Sequence, residues 1–153
     1  MNIIGEHGMP IQVLLVEDSP GDVRLTREAF REANMAIQLH VAEDGVQAMA
    51  FLTRKDPHSA APRPDLILLD LNLPRMDGRE VLAQIKADPN LKSIPTIILT
   101  TSEAETDIAK SYELQANSYL SKPVQLDKFE NLVQSINDFW LTKAKLPQRP
   151  PIR

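Results

Sequence analysis

Five residues form a set that could do chemistry together: Glu17, Asp18, Asp70, Thr100 and Lys122. Three carboxylates brought close repel one another, so either their pKa values rise or a cation sits among them. Oxygen ligands without cysteine or clustered histidine select a hard cation, and a site with few protein ligands that keeps its waters suits Mg²⁺ better than Ca²⁺. Lys122 adds a point positive charge and Thr100 a hydroxyl donor, which together describe an anion site. A carboxylate nucleophile on Asp70, a divalent cation, a lysine and a hydroxyl are the parts needed to accept a phosphoryl group and hold the acyl phosphate. No general base is required, because a carboxylate is already ionised at pH 7. Each residue alone also has a plainer role. An acidic pair after a strand is ordinary solvated loop, Lys122 a surface amine and Thr100 a buried strand hydroxyl. Only convergence makes a site, and convergence depends on the fold.

Short apolar runs rich in Val, Ile and Leu alternate with longer segments of helical spacing, the pattern of βαβ units. Val13 to Val16, Leu66 to Leu69 and Thr96 to Leu99 are continuous rather than alternating, as strands of a parallel sheet covered on both faces must be. Ile37 to Val41 alternates and Ser118 to Ser121 is short, which places both nearer the sheet edges. Ser19-Pro20-Gly21-Asp22 reads as an N-cap, a first-turn proline and a first-turn acid, opening a helix that carries Leu25, Ala29 and Ala33. Asp44 can cap a second helix holding Val46, Met49, Ala50 and Phe51. Lys55 to Pro64, with three prolines, reads as an extended loop. A third helix runs from about Gly78 to Lys86. A fourth begins at Glu103 or Thr106 and carries Ile108, Ala109 and Tyr112. The last follows Pro123 with Phe129, Val133, Ile136 and Trp140 on one face. Five β–α units fit an α/β, flavodoxin-like, doubly wound five-stranded parallel sheet of order 2-1-3-4-5. In that fold sites form at the carboxyl ends of the strands, where all five chemical residues lie.

The 153 residues make one domain, with 42% hydrophobic and 25% charged residues, a composition typical of a globular chain with a buried core. The absence of cysteine excludes disulfides, thiolate metal sites and thiol nucleophiles. A net charge of −4 argues against wrapping nucleic acid or lying on an anionic membrane. No run approaches 18 apolar residues and Met1 to Pro10 has no signal-peptide core, so a cytoplasmic location is expected. His7, His40 and His58 have no ligand spacing. Boundaries are expected at an arm over 1–10, a domain over 11–143 and a Pro-rich basic tail over 144–153, with no output domain.

In order along the chain, Leu15-Val16-Glu17-Asp18, Leu69-Asp70-Leu71-Asn72-Leu73-Pro74-Arg75-Met76-Asp77-Gly78, Leu99-Thr100-Thr101 and Lys122-Pro123 resemble the motifs of two-component receiver domains. Thr100 lies 30 residues after Asp70 and Lys122 a further 22 on, spacings that match the family. The resemblance implies a phosphoacceptor Asp70 that receives phosphate from a sensor histidine kinase. It implies Mg²⁺, or Mn²⁺ or Ca²⁺ in crystals, held by Glu17, Asp18, Asp70 and the backbone carbonyl of Asn72. Thr100 and Lys122 would bind the phosphoryl oxygens, and Tyr119 would be the switch aromatic that turns inward as Thr100 moves. A cis Lys122–Pro123 bond would aim the lysine. Thr101 is larger than the residue often found there, so access to Asp70 would be narrower, and Ser102 and Asn72 would tune the lifetime of the phosphorylated form. Gln115 replaces the usual glycine closing the fourth helix, a role Asn117 is expected to take.

The run from Glu17 to Leu25, the insert from Lys55 to Pro64 and the extended last helix resemble cyanobacterial phytochrome response regulators, implying a light-sensing histidine kinase as partner. The apolar stripe of the last helix, ending in Phe139 and Trp140, predicts a homodimer. Two other functions compete. A hydrolase working through an aspartyl phosphate needs an acid two residues after its nucleophile, where Asn72 stands and cannot donate that proton. A docking-only pseudo-receiver would lack the acidic pocket, which here is complete.

Overall fold

A computed structural model describes residues 10–32, 36–102, 104–122, 126–136 and 138. Five parallel strands, β1 (Ile11–Val16), β2 (Ile37–Ala42), β3 (Leu66–Leu69), β4 (Thr96–Thr100) and β5 (Ser118–Ser121), form one sheet in the order β2-β1-β3-β4-β5. The connecting helices are α1 (Pro20–Glu32), α2 (Gly45–Leu52), α3 (Gly78–Ala87), α4 (Glu105–Glu113) and α5 (Leu126–Ile136). The sequence-based order holds, with both weaker strands at the edges.

The continuous apolar runs are explained by two cores that share the strands. Leu14, Val16, Ile67, Leu69 and Ile98 face a layer built from Ala48, Phe51 and Leu52 of α2 and Val81, Leu82 and Ile85 of α3. Their neighbours Val13, Leu15, Leu66, Leu68, Ile97 and Leu99 point the other way, toward Ala29 and Phe30 of α1 and Ile136 of α5. Alternation is present in space but hidden in the sequence, because both faces are dry. Truncating a fully buried leucine such as Leu14 or Leu68 removes contacts worth about 2–5 kcal/mol.

Helix ends follow the expected chemistry at three of the N-termini. Ser19 Oγ accepts from Asp22 N at 3.3 Å, Asp44 Oδ1 from Gln47 N at 2.7 Å and Asp77 Oδ2 from Arg79 N at 3.0 Å. α4 has no side-chain cap. Its face also differs from expectation: Tyr112 is 51% exposed and Ala109 exposed, while Ser111 is buried. On α2, Val46 is exposed and Ala48 and Leu52 are buried instead, so these helical faces are rotated from the predicted ones. On α1 the buried residues are Thr26, Ala29 and Phe30, with Leu25 only partly covered.

The C-terminal turn of α4 corrects one expectation. Gln115 itself adopts φ 70°, with Gln115 N bonded to Tyr112 O and Ala116 N to Ser111 O, both at 2.9 Å. This is a complete Schellman ending with a glutamine at the glycine position. Asn117 instead ties β5 to β4, its N–H donating to Thr96 O at 2.9 Å and its Oδ1 accepting from Thr96 N at 2.8 Å. α2 ends in the same way on Arg54, at φ 57°, with Lys55 N bonded to Ala50 O. A side chain held in the left-handed region costs roughly 1 kcal/mol relative to glycine. Gln115→Gly is expected to raise the thermal midpoint by about 2–4 °C, read by circular dichroism; an unchanged or lower midpoint would contradict this account of the α4 terminus.

Candidate phosphoryl-acceptor site

β1 and β3 are adjacent and in register, Val16 opposite Leu69, so the residues that follow them, Glu17 and Asp70, emerge side by side at the carboxyl edge. Glu17 N continues the ladder to Ala42 O at 2.9 Å and Asp70 N to Val16 O at 3.1 Å, which fixes both backbones. Two glycines let helices press against the loop after Asp70. A methyl group on Gly78 would strike the Asp70 carbonyl oxygen and the Leu71 Cα, and one on Gly45 would strike the Met76 carbonyl. Only a residue without Cβ fits at either place.

Asp70 is buried and both its oxygens are engaged. Oδ1 accepts from the Thr100 hydroxyl at 2.7 Å and from Asn72 N at 3.1 Å, and Oδ2 accepts from Lys122 Nζ at 2.9 Å. Lys122, its side chain 5% exposed, also donates to Glu17 Oε1 and, at 2.9 Å, to Asp22 Oδ2. Glu17 Oε2 accepts from Ser19 N at 3.2 Å. Asp18 is exposed at the mouth. Carboxylate oxygens of Glu17, Asp18 and Asp70 all lie within 4.8 Å of one another, the arrangement a divalent cation needs. Every donor is oxygen, so the set fits a hard ion of the Mg²⁺ type and disfavours a soft one.

The charges here are strongly coupled. Burial pushes the Glu17 carboxyl up to about 7; the bond and charge of Lys122 pull the other way without overcoming it, and Asp70 raises it further. Burial alone would lower the Lys122 ammonium, but its bonds to Glu17, Asp70 and Asp22 outweigh that and hold it above the usual lysine range. Four carboxylates around one ammonium leave negative charge uncompensated, which is what a bound cation would relieve.

A second polar group adjoins the first. Arg79 of α3 forks onto Asp107 of α4, Nε to Oδ1 at 2.8 Å and a terminal nitrogen to Oδ2 at 2.7 Å. Ser102 Oγ joins Asp107 Oδ2 at 2.7 Å, and the half-buried Tyr119 donates its hydroxyl to the Ser102 carbonyl at 2.8 Å. The Arg79 bond, then that of Ser102, hold the Asp107 carboxyl down at about 2. Thus the loop after β4 is fastened to α3, α4 and β5 together.

The geometry brings together Glu17, Asp18, Asp70, Asn72, Thr100 and Lys122, with Tyr119 one loop away. Thr101 is exposed. The Lys122–Pro123 bond, Phe139 and Trp140 lie outside the described residues. Asp22, Arg79 and Asp107 were not expected at the site; of the three only Asp22 carried a signal, as a first-turn acid four residues after Asp18.

The family model described as the response regulator receiver domain matches residues 13–134. The chain belongs to that family. This receiver is 49% identical over 142 residues to response regulator Rcp1 of Synechocystis, covering 93% of this chain and 97% of the relative. Among solved structures, the Mn(2+)-bound form of Rcp1 is 49% identical with a TM-score of 0.86, covering 91% of this chain and 100% of the other. The phosphorylated cyanobacterial phytochrome response regulator RcpA is 46% identical with a TM-score of 0.88, covering 91% and 99%. Similarity to phytochrome response regulators, read from the first loop and the insert, is therefore borne out, as are the family and the fold. Among the described residues of the receiver no helix is long and apolar enough to cross a membrane.

The raised Glu17 carboxyl makes a pH prediction for the receiver in chelator. Its folded value of about 7 exceeds the ordinary carboxyl value of 4.5, so the folded state holds a proton that the unfolded chain has lost. Glu17's contribution to stability is greatest below about pH 4.5 and declines as pH rises toward 7. Urea unfolding at pH 5, 6, 7 and 8 should show this decline, flattened in Glu17→Gln and by millimolar Mg²⁺; equal slopes in wild type and variant would contradict it.

Proposed function

We propose that this receiver takes a phosphoryl group on Asp70 from a phosphohistidine of a sensor histidine kinase, a phytochrome in the first instance, and changes its protein contacts as a result. The observation that carries this is the ring of donors around Asp70: Thr100 and Asn72 on one oxygen, Lys122 on the other. These groups are aimed where negative charge accumulates as a phosphoryl group arrives. An Asp70 oxygen attacks phosphorus, the P–N bond to the kinase imidazole breaks, and its electron pair returns to the ring. Thr100 re-aims its hydroxyl to a phosphoryl oxygen and Lys122 donates to another. When held by the carboxylates of Glu17, Asp18 and Asp70 and the carbonyl of Asn72, a divalent ion such as Mg²⁺ supplies positive charge that offsets repulsion between these acids and the phosphoryl oxygens. Thr101 sits at the rim and limits approach to the acyl phosphate.

Movement of Thr100 toward the phosphoryl group frees space for the Tyr119 ring, which must then release the Ser102 carbonyl. Two loop packings separated by a few kcal/mol and biased by one charge event suffice for such a switch. The receiver occupies residues 11–143, with an arm before it and a tail after it. Its output is a homodimer contact made through Phe139 and Trp140. Supporting this, the sequence carries the apolar stripe that includes Leu132 and Ile136 on through Phe139 and Trp140.

Incubation with Mg²⁺ and acetyl phosphate should label one aspartate per chain, and beryllofluoride should bind one to one. Both should vanish in Asp70→Asn and in chelator. Steady turnover of a phosphate monoester would instead point to a hydrolase, and absence of labelling to a docking module. In sedimentation velocity, beryllofluoride should tighten a dimer that Phe139→Ser/Trp140→Ser abolishes; an unaltered dimer in that variant would remove these two residues from the interface.

A further inference from the structure

The three ammonium hydrogens of Lys122 go to three carboxylates on three elements: Glu17 after β1, Asp70 after β3 and Asp22 in the first turn of α1. Two of these acceptors are wanted by others. Glu17 and Asp70, with Asp18, form the cation-ligating group among the described residues, and Asp70 is also the atom set to be phosphorylated. Asp22 stands outside that group.

The local reason why Asp22 is free to do this lies in the capping of α1. With Ser19 as N-cap, Asp22 occupies the third helical position, where an acid ordinarily reaches back to the N-cap's own N–H in a capping box. Half of that box is made, since Asp22 N donates to Ser19 Oγ at 3.3 Å. The other half is taken over by Glu17, whose Oε2 accepts from Ser19 N at 3.2 Å. The Asp22 carboxylate therefore turns away from its helix and meets Lys122 at 2.9 Å. Its side chain is 32% exposed, against 3% for Glu17 and 8% for Asp70, so it sits at the outer edge of the cluster.

We infer that Asp22 is a positioning residue that anchors Lys122, holding the ammonium in place while its bonds to Glu17 and Asp70 are exchanged for a phosphoryl oxygen. The inference rests on the phosphoacceptor role of Asp70 proposed above. It carries a sign that distinguishes it from a bulk charge effect. A negative charge near an anion site weakens anion binding by simple repulsion, so removing it should tighten binding. Removing an anchor should weaken binding, because Lys122 must then be ordered at the moment the anion arrives.

The test uses the full chain at saturating Mg²⁺, so that any change in cation affinity drops out. Beryllofluoride is titrated calorimetrically into wild type, Asp22→Asn and Asp22→Glu, with thermal melts as a check on folding. In parallel, the Lys122 ammonium is observed by ¹H–¹⁵N correlation, where a buried, bonded ammonium exchanges slowly enough to be seen. Asp22→Asn is expected to weaken beryllofluoride roughly three- to tenfold and to broaden or erase the Lys122 signal. Asp22→Glu, which keeps the charge, should restore part of both. Equal or tighter binding in Asp22→Asn, or an unaltered Lys122 signal, would overturn the anchor. Failure of wild type to bind beryllofluoride would instead overturn the phosphoacceptor role, and the ammonium spectrum would still decide whether Asp22 holds Lys122.

Discussion

One buried cation organises this molecule's working edge. Lys122 reaches from the end of β5 across the sheet to acids that follow β1 and β3 and to the first turn of α1, so a single ammonium closes the carboxyl ends of strands that are not all neighbours. Burying one charge among several opposite ones is stable only when every hydrogen finds an acceptor, and here every hydrogen does. The same arrangement leaves excess negative charge, which is why the edge is suited to a divalent ion and a transferable anion rather than to a neutral ligand. Stability and reactivity thus come from the same unbalanced cluster.

Around that cluster the fold supplies rigidity of an uneven kind. The three central strands are dry on both faces, and the ladder continues past β1 and β3 through Glu17 and Asp70. The loop after β4, by contrast, depends on side-chain bonds: the fork from Arg79 to Asp107, the Ser102 hydroxyl and the Tyr119 phenol. α4 buries little and has no side-chain cap. Asp70 is thus held by the backbone ladder, whereas the proposed switch beside Thr100 acts on exchangeable side-chain contacts.

Much of this was legible in the sequence. Continuous runs such as Leu66 to Leu69, alternating with helical segments, read as strands covered twice, and the five-unit parallel order they imply places Asp70, Thr100 and Lys122 at one edge. The faces of α2 and α4 were less legible, because α2 is apolar nearly all round and α4 buries little, so neither gives a clear periodic signal; Val46 and Tyr112 are nonetheless exposed. The end of α4 was misplaced for a different reason. Asparagine tolerates left-handed backbone better than glutamine does, but the position is set by hydrogen-bond counting from Ser111 and Tyr112, and the count falls on Gln115. Asp22 and the Arg79–Asp107 fork depend on which way long side chains turn once the elements meet, and no spacing rule encodes that.

The two glycines beside the acceptor loop have a meaning for variation in this chain. Gly45 and Gly78 touch no reactive atom with a side chain, because they have none, yet each occupies the space in which a neighbouring helix leans on the segment carrying Asp70. Adding a single carbon at either place would bring it to 2.1 Å from a backbone oxygen, so the segment or the helix would have to give way. A map of tolerance across this protein would therefore draw its active centre wider than the circle of side chains gathered around Asp70.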